Sequence, residues 1–276
     1  MHRKKYRLLL ILLIPFACTA SLVFGYVLFP PAPVDVLILG LDTRPGDAAT
    51  TQTDSIMLFN VTPAEGRVTL LSIPRDVFID VPGYGERRIN SIATLGGVDL
   101  LRASLQTSLG IEVDHVIQLD FAAFITLVDA VGGVEVNVPQ RIVDDAYPTL
   151  DGSTMTVTFE AGSQHMDGER ALQYARTRHQ DNDFRRAGRQ QQVLEAVFRK
   201  LRDPRTITRW PDVWDALQTH SDLKISTLLR IAPALLWGWP EREQRVLERD
   251  DLLPRRANYW SLDIDTLRPW IEPRFD

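Results

Sequence analysis

The chain is 276 residues long, 45% hydrophobic and 24% charged, with a formal net charge of −5. That length supplies core volume for one large domain or two small ones. The ordinary charged and aromatic content excludes wholesale disorder, and the acidic balance argues against a nucleic-acid binder. The single cysteine, Cys18, excludes an internal disulfide framework and a cysteine-rich zinc site.

The first predicted element is a membrane segment. Residues 1–7 form a basic flank carrying Arg3, Lys4, Lys5 and Arg7, and no acid precedes Asp35. Residues 8–29, Leu8 to Phe29, hold no charge. As a helix this run is about 33 Å long, enough to cross a bilayer. The flanking cations predict a single-pass signal-anchor in the cell membrane, with the N-terminus cytoplasmic and the body extracytoplasmic. A cleaved signal peptide is a second reading, though the run exceeds the usual apolar core of about 7–15 residues. A third is a lipoprotein acylated at Cys18, but Pro15-Phe16-Ala17-Cys18 lacks the leucine expected three places before the cysteine. Pro30, Pro31 and Pro33 make a stiff spacer over residues 30–33.

Apolar runs of strand length follow at Val34–Gly40, Asp54–Val61 and Arg67–Ile73, the last two joined by the turn Pro63-Ala64-Glu65-Gly66. Val77–Val81 reads as a short strand. Leu100, Leu101, Leu105 and Leu109 have helical spacing within Gly97–Leu109. Further strands are predicted at Val113–Leu119, Val134–Val138 and Met155–Phe159. Helices are predicted at Phe121–Val131, Gly168–Arg178 and Arg186–Leu201. The alternation implies an α/β fold, a three-layer α/β/α domain with a mixed central sheet over residues 34–201. Residues 202–276 hold all six tryptophans and read as a helical part packed on the same domain. A sharper alternative places Trp237 and Trp239, after the mostly apolar stretch Leu228–Leu236, at the membrane surface.

Chemistry concentrates at the ends of these elements. Asp42 follows the first strand and Asp54 opens the second, with eleven residues between them. Ligands of open α/β sheets gather at strand ends, and two carboxylates there suit a hard cation such as Mg²⁺. The plainer alternative gives Asp42 an Asx-type turn and Asp54 a strand cap. Arg75, in Ser72-Ile73-Pro74-Arg75-Asp76, either reaches a ligand or pairs with Asp76. The stretch Asp167–Arg205 holds ten basic and six acidic residues in an otherwise acidic chain. Arg176 and Arg178 flank Thr177 at a helix end. Arg186, Arg189 and Gln190 lie three and four residues apart, so they are expected to share a helix face. Guanidinium groups grip phosphate oxygens through paired hydrogen bonds, so such a cluster suits a pyrophosphate. The alternative is a solvated helix face, or pairing with Asp181 and Asp183. Gly110 and Gly132-Gly133 read as helix stops. His115 reads as structural, while His179 is placed near the site. The sequence has no metal-binding histidine pair, G-x-S-x-G elbow or P-loop.

Taken together and in order, these segments resemble the LytR-CpsA-Psr (LCP) family. The resemblance is carried by Leu39-Gly40-Leu41-Asp42-Thr43-Arg44, Thr53-Asp54-Ser55-Ile56-Met57, Ser72-Ile73-Pro74-Arg75-Asp76, Arg88-Ile89-Asn90-Ser91 and Gly96-Gly97. It continues through Val128–Val136, Asp167-Gly168-Glu169, Tyr174-Ala175-Arg176-Thr177-Arg178 and Asp183-Phe184-Arg185-Arg186 to Arg189-Gln190-Gln191, covering residues 34 to about 200. It implies a phosphotransferase that moves a glycopolymer from a polyprenyl-pyrophosphate lipid onto a muramic acid hydroxyl of peptidoglycan, releasing polyprenyl phosphate. Asp42 and Asp54 would hold Mg²⁺. Arg75, Arg88, Arg176 and Arg178 would grip the pyrophosphate, with Asp183, Arg186 and Gln190 completing the polar site. Arg75, Asp54, Arg176 and Arg178 would carry the catalysis, with Asp54 or Asp76 as proton acceptor. The lipid tail would lie in an apolar tunnel between sheet and helices. The sequence departs from the pattern at Gln52, where the family commonly has arginine. Rival readings are a polyprenyl-pyrophosphate hydrolase at the same site, a non-catalytic lipid-pyrophosphate binder, and a membrane-bound transcriptional attenuator; no helix-turn-helix is evident for the last.

Overall fold

Apolar runs with residues buried on both sides belong in the middle of a covered sheet, and three of them build its centre here. In the computed structural model, the described residues are 17, 20–21, 23–42, 53–149, 153–177, 183–237, 241–248, 251–254 and 260–275. Strands β1 (Val34–Leu41), β2 (Thr53–Thr62) and β3 (Arg67–Ile73) pair antiparallel in sequence order. Next come β4 (Val77–Val81), β5 (Gly85–Arg88), helix α1 (Ile89–Leu109) and β6 (His115–Leu119). Then follow α2 (Phe121–Ala130), β7 (Val134–Val138), β8 (Ile142–Pro148), β9 (Thr154–Phe159), β10 (Gly162–Met166), α3 (Gly168–Arg176) and α4 (Asp183–Leu201). After a 3-10 turn at Pro204–Arg209 come α5 (Trp210–Gln218), α6 (Ile225–Trp237), β11 (Glu241–Val246), β12 (Leu252–Pro254), β13 (Trp260–Leu262) and α7 (Ile264–Ile271).

The central sheet has the order β11-β3-β2-β1-β6. β6 runs parallel to β1 and β11 parallel to β3, so the sheet is mixed. Side chains alternate along β1. Val34, Val36 and Ile38 face a core closed by α2 to α6, while Leu37 and Leu39 face a second core closed mainly by α1, β4 and α7. A second sheet, β12-β13-β4-β5, flanks α1. β7 pairs with β10, and β8 with β9 through a register shift between Asp144 and Tyr147.

Local chemistry fixes the elements nearest the end of β1. Asp120 caps α2, accepting from the Ala123 amide at 2.7 Å, and Asp167 caps α3, accepting from the Arg170 amide at 2.8 Å. Asp129 on α2 accepts from the Gly168 amide at 2.8 Å. A Cβ at Gly168 would stand 2.4 Å from the Ile125 carbonyl oxygen, so only glycine permits this approach of α2 and α3.

Several elements differ from the sequence reading. α1 begins at Ile89 and is two helical segments broken at Gly96 and Gly97, the latter with φ +78°. α3 ends at Arg176, with Thr177 as its C-cap. Strands β5 and β10 are short and largely polar, and β8 is interrupted by Asp144-Asp145, so they carry little periodic signal. The region after Leu201, read as helical, also contributes β11, β12 and β13. β11 joins the central sheet although its sequence, EREQRV, lacks apolar alternation; it is an edge strand. His115 is in β6 and buried, with Nε2 2.9 Å from the Thr227 hydroxyl and Nδ1 3.5 Å from Asp222 Oδ1.

No helix among the described residues is long and apolar enough to cross a membrane. Most of residues 1–22, Cys18 included, lie outside the description, as do His179, Trp239 and the side chain of Trp237. Residues 23–28 are helical, and Tyr26 and Arg230 of α6 meet through a 3.1 Å bond from the phenol to the Arg230 carbonyl.

Candidate active site

The end of β1 opens into a cavity of about 180 Å³ between the sheet and helices α2, α3 and α4. Its depth is apolar: Ile38, Met57 and Leu119 come from the sheet, and Phe124, Leu172 and Leu194 from the helices. Its rim is polar and charged: Asp42, Asp54, Arg176, Arg186 and Gln190. A smaller adjoining space shares Asp54, Arg186 and Gln190 and adds Arg75. Six of the residues singled out in the sequence are thus brought together from β1, β2, the turn after β3, α3 and α4.

Two carboxylates and four polar or cationic side chains share this rim. Arg75 Nη1 donates to Asp54 Oδ1 at 2.7 Å, and Arg75 Nε stands 3.6 Å from Asp76 Oδ2. Arg88 Nη1 lies 3.9 Å from Asp76 Oδ1. A chain of alternating charge therefore runs from the rim at Asp54 through Arg75 and Asp76 to Arg88. Arg88 is at its outer end and does not line the cavity; its guanidinium sits over Phe78, 5.9 Å from the ring centroid. Arg75 pairs with Asp76, as one reading held, and more closely with Asp54, and it lines the space that adjoins the cavity.

Asp42 differs from Asp54. Its Oδ1 is buried and has no hydrogen-bond partner among the described residues. A buried carboxylate oxygen without a donor is costly, and a cation removes that cost. Among the described residues there is no group of three or more histidine, cysteine or acidic side chains that could hold a metal. An ion here would rest on Asp42 and Asp54, with further oxygens from phosphate and water. That all-oxygen, protein-poor set suits Mg²⁺.

α4 divides its polar residues. Arg186, 5% exposed, and Gln190, one turn later, line the cavity. Arg189 does not join them, contrary to the shared-face expectation. It is 6% exposed, with Nε donating to the Tyr174 carbonyl at 3.1 Å and Nη2 to the Thr177 carbonyl, and so fastens α4 to the end of α3. Gln191 donates to the Arg245 carbonyl at 2.9 Å, tying α4 to β11. Arg178 and the side chain of Asp183 lie outside the described residues, as do Arg44 and Gln52.

Two contributors went unmarked in the sequence. Arg176 Nη1 donates to the Tyr147 hydroxyl at 3.2 Å, and its Cζ stands 4.0 Å from the centroid of Phe121. Phe121 follows the N-cap Asp120, a signal visible in the sequence. Tyr147 is in β8, which has no pattern that would reveal its inward ring.

The LytR_cpsA_psr family model matches residues 30–246, from the spacer through β11. The chain belongs to the LytR-CpsA-Psr family. The match extends past the last motif read in the sequence and takes in the edge strand of the central sheet. A relative from Bacillus cereus, named polyisoprenyl-teichoic acid–peptidoglycan teichoic acid transferase TagU, is 33% identical over 68% of this chain. A Staphylococcus aureus relative named regulatory protein MsrR is 32% identical over 70% of it. The chain spans 59% and 56% of the lengths of those two proteins. Among solved structures, the family protein TagT (YwtF) with bound octaprenyl pyrophosphate lipid superposes with a TM-score of 0.66 at 25% identity, covering 88% of this chain and 90% of that one.

Proposed function

We propose that this LCP member is an extracytoplasmic, Mg²⁺-dependent phosphotransferase. It takes a glycopolymer from a polyprenyl-pyrophosphate carrier and joins it to peptidoglycan by a phosphodiester. The observation that carries the reading is the union, in one cavity, of an apolar depth and a rim of arginines and carboxylates. A prenyl chain joined to a diphosphate has the same division: an apolar tail and a compact anionic head. The name of TagU, a teichoic acid transferase, and the lipid held by TagT support this reading.

Each residue then has a role. Ile38, Leu119, Leu172 and Leu194 take prenyl carbons out of water, at about 25 cal/mol per Å² buried. Arg75, Arg176, Arg186 and Gln190 bind the diphosphate oxygens, and Arg88, Arg178 and Asp183 extend that polar surface. Asp42 and Asp54 would hold Mg²⁺, which when bound neutralises charge on the phosphoryl oxygens. The acceptor hydroxyl oxygen forms a bond to the glycan-bearing phosphorus, and the bond from that phosphorus to the prenyl phosphate oxygen breaks. The hydroxyl proton passes to a carboxylate beside it, and polyprenyl phosphate leaves as an anion. Charge builds on the leaving oxygen and the phosphoryl group, where the arginines stand. Of the two candidate proton acceptors, Asp54 lines the cavity and Asp76 does not. The uncharged stretch at 8–29 anchors the chain in the membrane that holds the donor.

The name MsrR gives the regulatory reading its footing, but that reading leaves the cavity and its arginine rim without a use. The test is to supply the full chain with a polyprenyl-pyrophosphate-linked glycan and Mg²⁺, with and without peptidoglycan oligomers. Polyprenyl phosphate release that requires the oligomers is expected. Equal release without them makes the protein a hydrolase, and no release under either condition makes it a binder or regulator.

A further inference from the structure

We infer that Tyr147 and Phe121 are positioning residues that hold the Arg176 guanidinium ready for the diphosphate. The inference rests on the reading of the cavity rim as a diphosphate site.

Arg176 is the last residue of α3, and the backbone leaves the helix at Thr177 with φ −53° and ψ 139°. An arginine at a helix end has many rotamers, and a ligand that had to order it would lose affinity to side-chain entropy. Here the protein has already ordered it. Phe121 lies 4.0 Å from the Arg176 Cζ, and the Tyr147 ring centroid 5.5 Å from it. The Tyr147 hydroxyl accepts from Nη1 at 3.2 Å. Two aromatic contacts and one directed bond restrict a planar group strongly. The ring contacts are themselves fixed. Phe121 opens α2 directly after its N-cap, and Tyr147 is 5% exposed in a strand whose register shifts just before it. Burial raises the pKa of the Tyr147 phenol, with Arg176 pulling the other way less strongly, so the phenol is neutral at physiological pH. A neutral phenol takes one of the guanidinium's five N–H donors without cancelling its charge.

Arg170, six residues earlier on α3, shows what a purely structural arginine looks like here. Its Cζ is 3.8 Å from the centroid of Phe159, and its N–H groups end on protein acceptors, the Thr158 carbonyl and Gln173 Oε1 at 3.1 Å. It does not line the cavity. Arg176 has the same kind of aromatic support, but its protein acceptor among the described residues is a phenol, and the residue lines the cavity. Phe121 also lines the cavity, as does Pro148, next to Tyr147. The support is therefore built from the walls of the site itself.

The experiment measures binding of octaprenyl pyrophosphate, octaprenyl monophosphate and octaprenol to the full chain in detergent micelles. The variants are Tyr147→Phe, Phe121→Leu and Arg176→Ala, and each of the first two combined with the third. Tyr147→Phe keeps the ring and the fold, checked by an unchanged unfolding midpoint. It should weaken pyrophosphate binding about 3- to 10-fold, the range of one hydrogen bond, and leave octaprenol binding unchanged. Phe121→Leu should weaken pyrophosphate binding more than octaprenol binding, since its ring also lines the cavity. In the Arg176→Ala background Tyr147→Phe should weaken pyrophosphate binding no further, and Phe121→Leu no more than it weakens octaprenol binding, because the remaining effect of each acts through Arg176. Wild-type affinity in Tyr147→Phe, or an equal loss with and without Arg176, overturns the inference while leaving the diphosphate site standing. Wild-type protein that binds the pyrophosphate no better than octaprenol overturns both.

Discussion

Leu37 and Ile38 are neighbours on β1, yet the two faces they serve are built for different ends. Leu37 and Leu39 meet Ile92, Leu101 and Leu105 of α1 in a core where each of these side chains is fully buried. Ile38 points the other way, into the wall of the 180 Å³ cavity, with Met57 of β2 beside it. Both faces are packed cores, but the α2–α6 face is hollow at one end, where an apolar space lies beside a charged rim. Close-packed interiors rarely leave such room, because unfilled volume forfeits dispersion contacts. The α2–α6 side also holds fully buried Val61, Val128, Phe159 and Tyr174, so both sides carry stability, and ligand binding falls to the hollow end between the sheet and α2–α4.

The largest effect that would separate the faces is on stability. Leu37→Ala removes a fully buried side chain from the filled face and should cost about 2–5 kcal/mol in denaturant unfolding. A cost below about 1 kcal/mol would mean that this face is not a filled core. Next in size, Arg75→Ala or Arg176→Ala on the rim should lower transfer about 10²–10³-fold, with the unfolding midpoint unchanged. Wild-type turnover in either variant would remove its assigned role. Leu172→Trp, filling the cavity from α3, should weaken polyprenyl-pyrophosphate binding about tenfold while changing stability by no more than about 1 kcal/mol. Unchanged affinity would put the tail elsewhere. The smallest effect is expected for Asp42→Asn. Removing a buried charge should leave the metal-free protein as stable or slightly more so, within about 1 kcal/mol, yet raise the Mg²⁺ concentration needed for half-maximal transfer. An unaltered Mg²⁺ requirement would exclude Asp42 as a ligand.

The sequence shows the two-faced strand but not which face is hollow. Period-two alternation sorts Leu37 from Ile38, and it says nothing of how fully the facing helices fill the space. Asp42, Asp54 and Arg75 were legible because each lies at the end of an apolar strand, where a sheet presents its ligands, and Arg176 because it falls in the basic stretch Asp167–Arg205. Arg189 was misplaced for a definite reason. Spacing of three or four residues defines a broad helix face, and the carbonyl groups at the end of α3 draw Arg189 to one edge of it. Tyr147 was invisible because its direction depends on a register shift between two strands distant from the other motifs. β11 escaped because an edge strand beside β3 is held by backbone bonds, which leave its polar side chains unpatterned.

The central claim is that the hollow face holds a prenyl chain and the rim its diphosphate. A crystal structure of this chain with octaprenyl pyrophosphate and Mg²⁺ tests it most directly. The account predicts prenyl density between Ile38 and Leu194, diphosphate density within reach of Arg75, Arg176 and Arg186, and a metal ion against Asp42 and Asp54. A lipid bound on another surface at saturating concentration, with the cavity filled only by solvent, would contradict it.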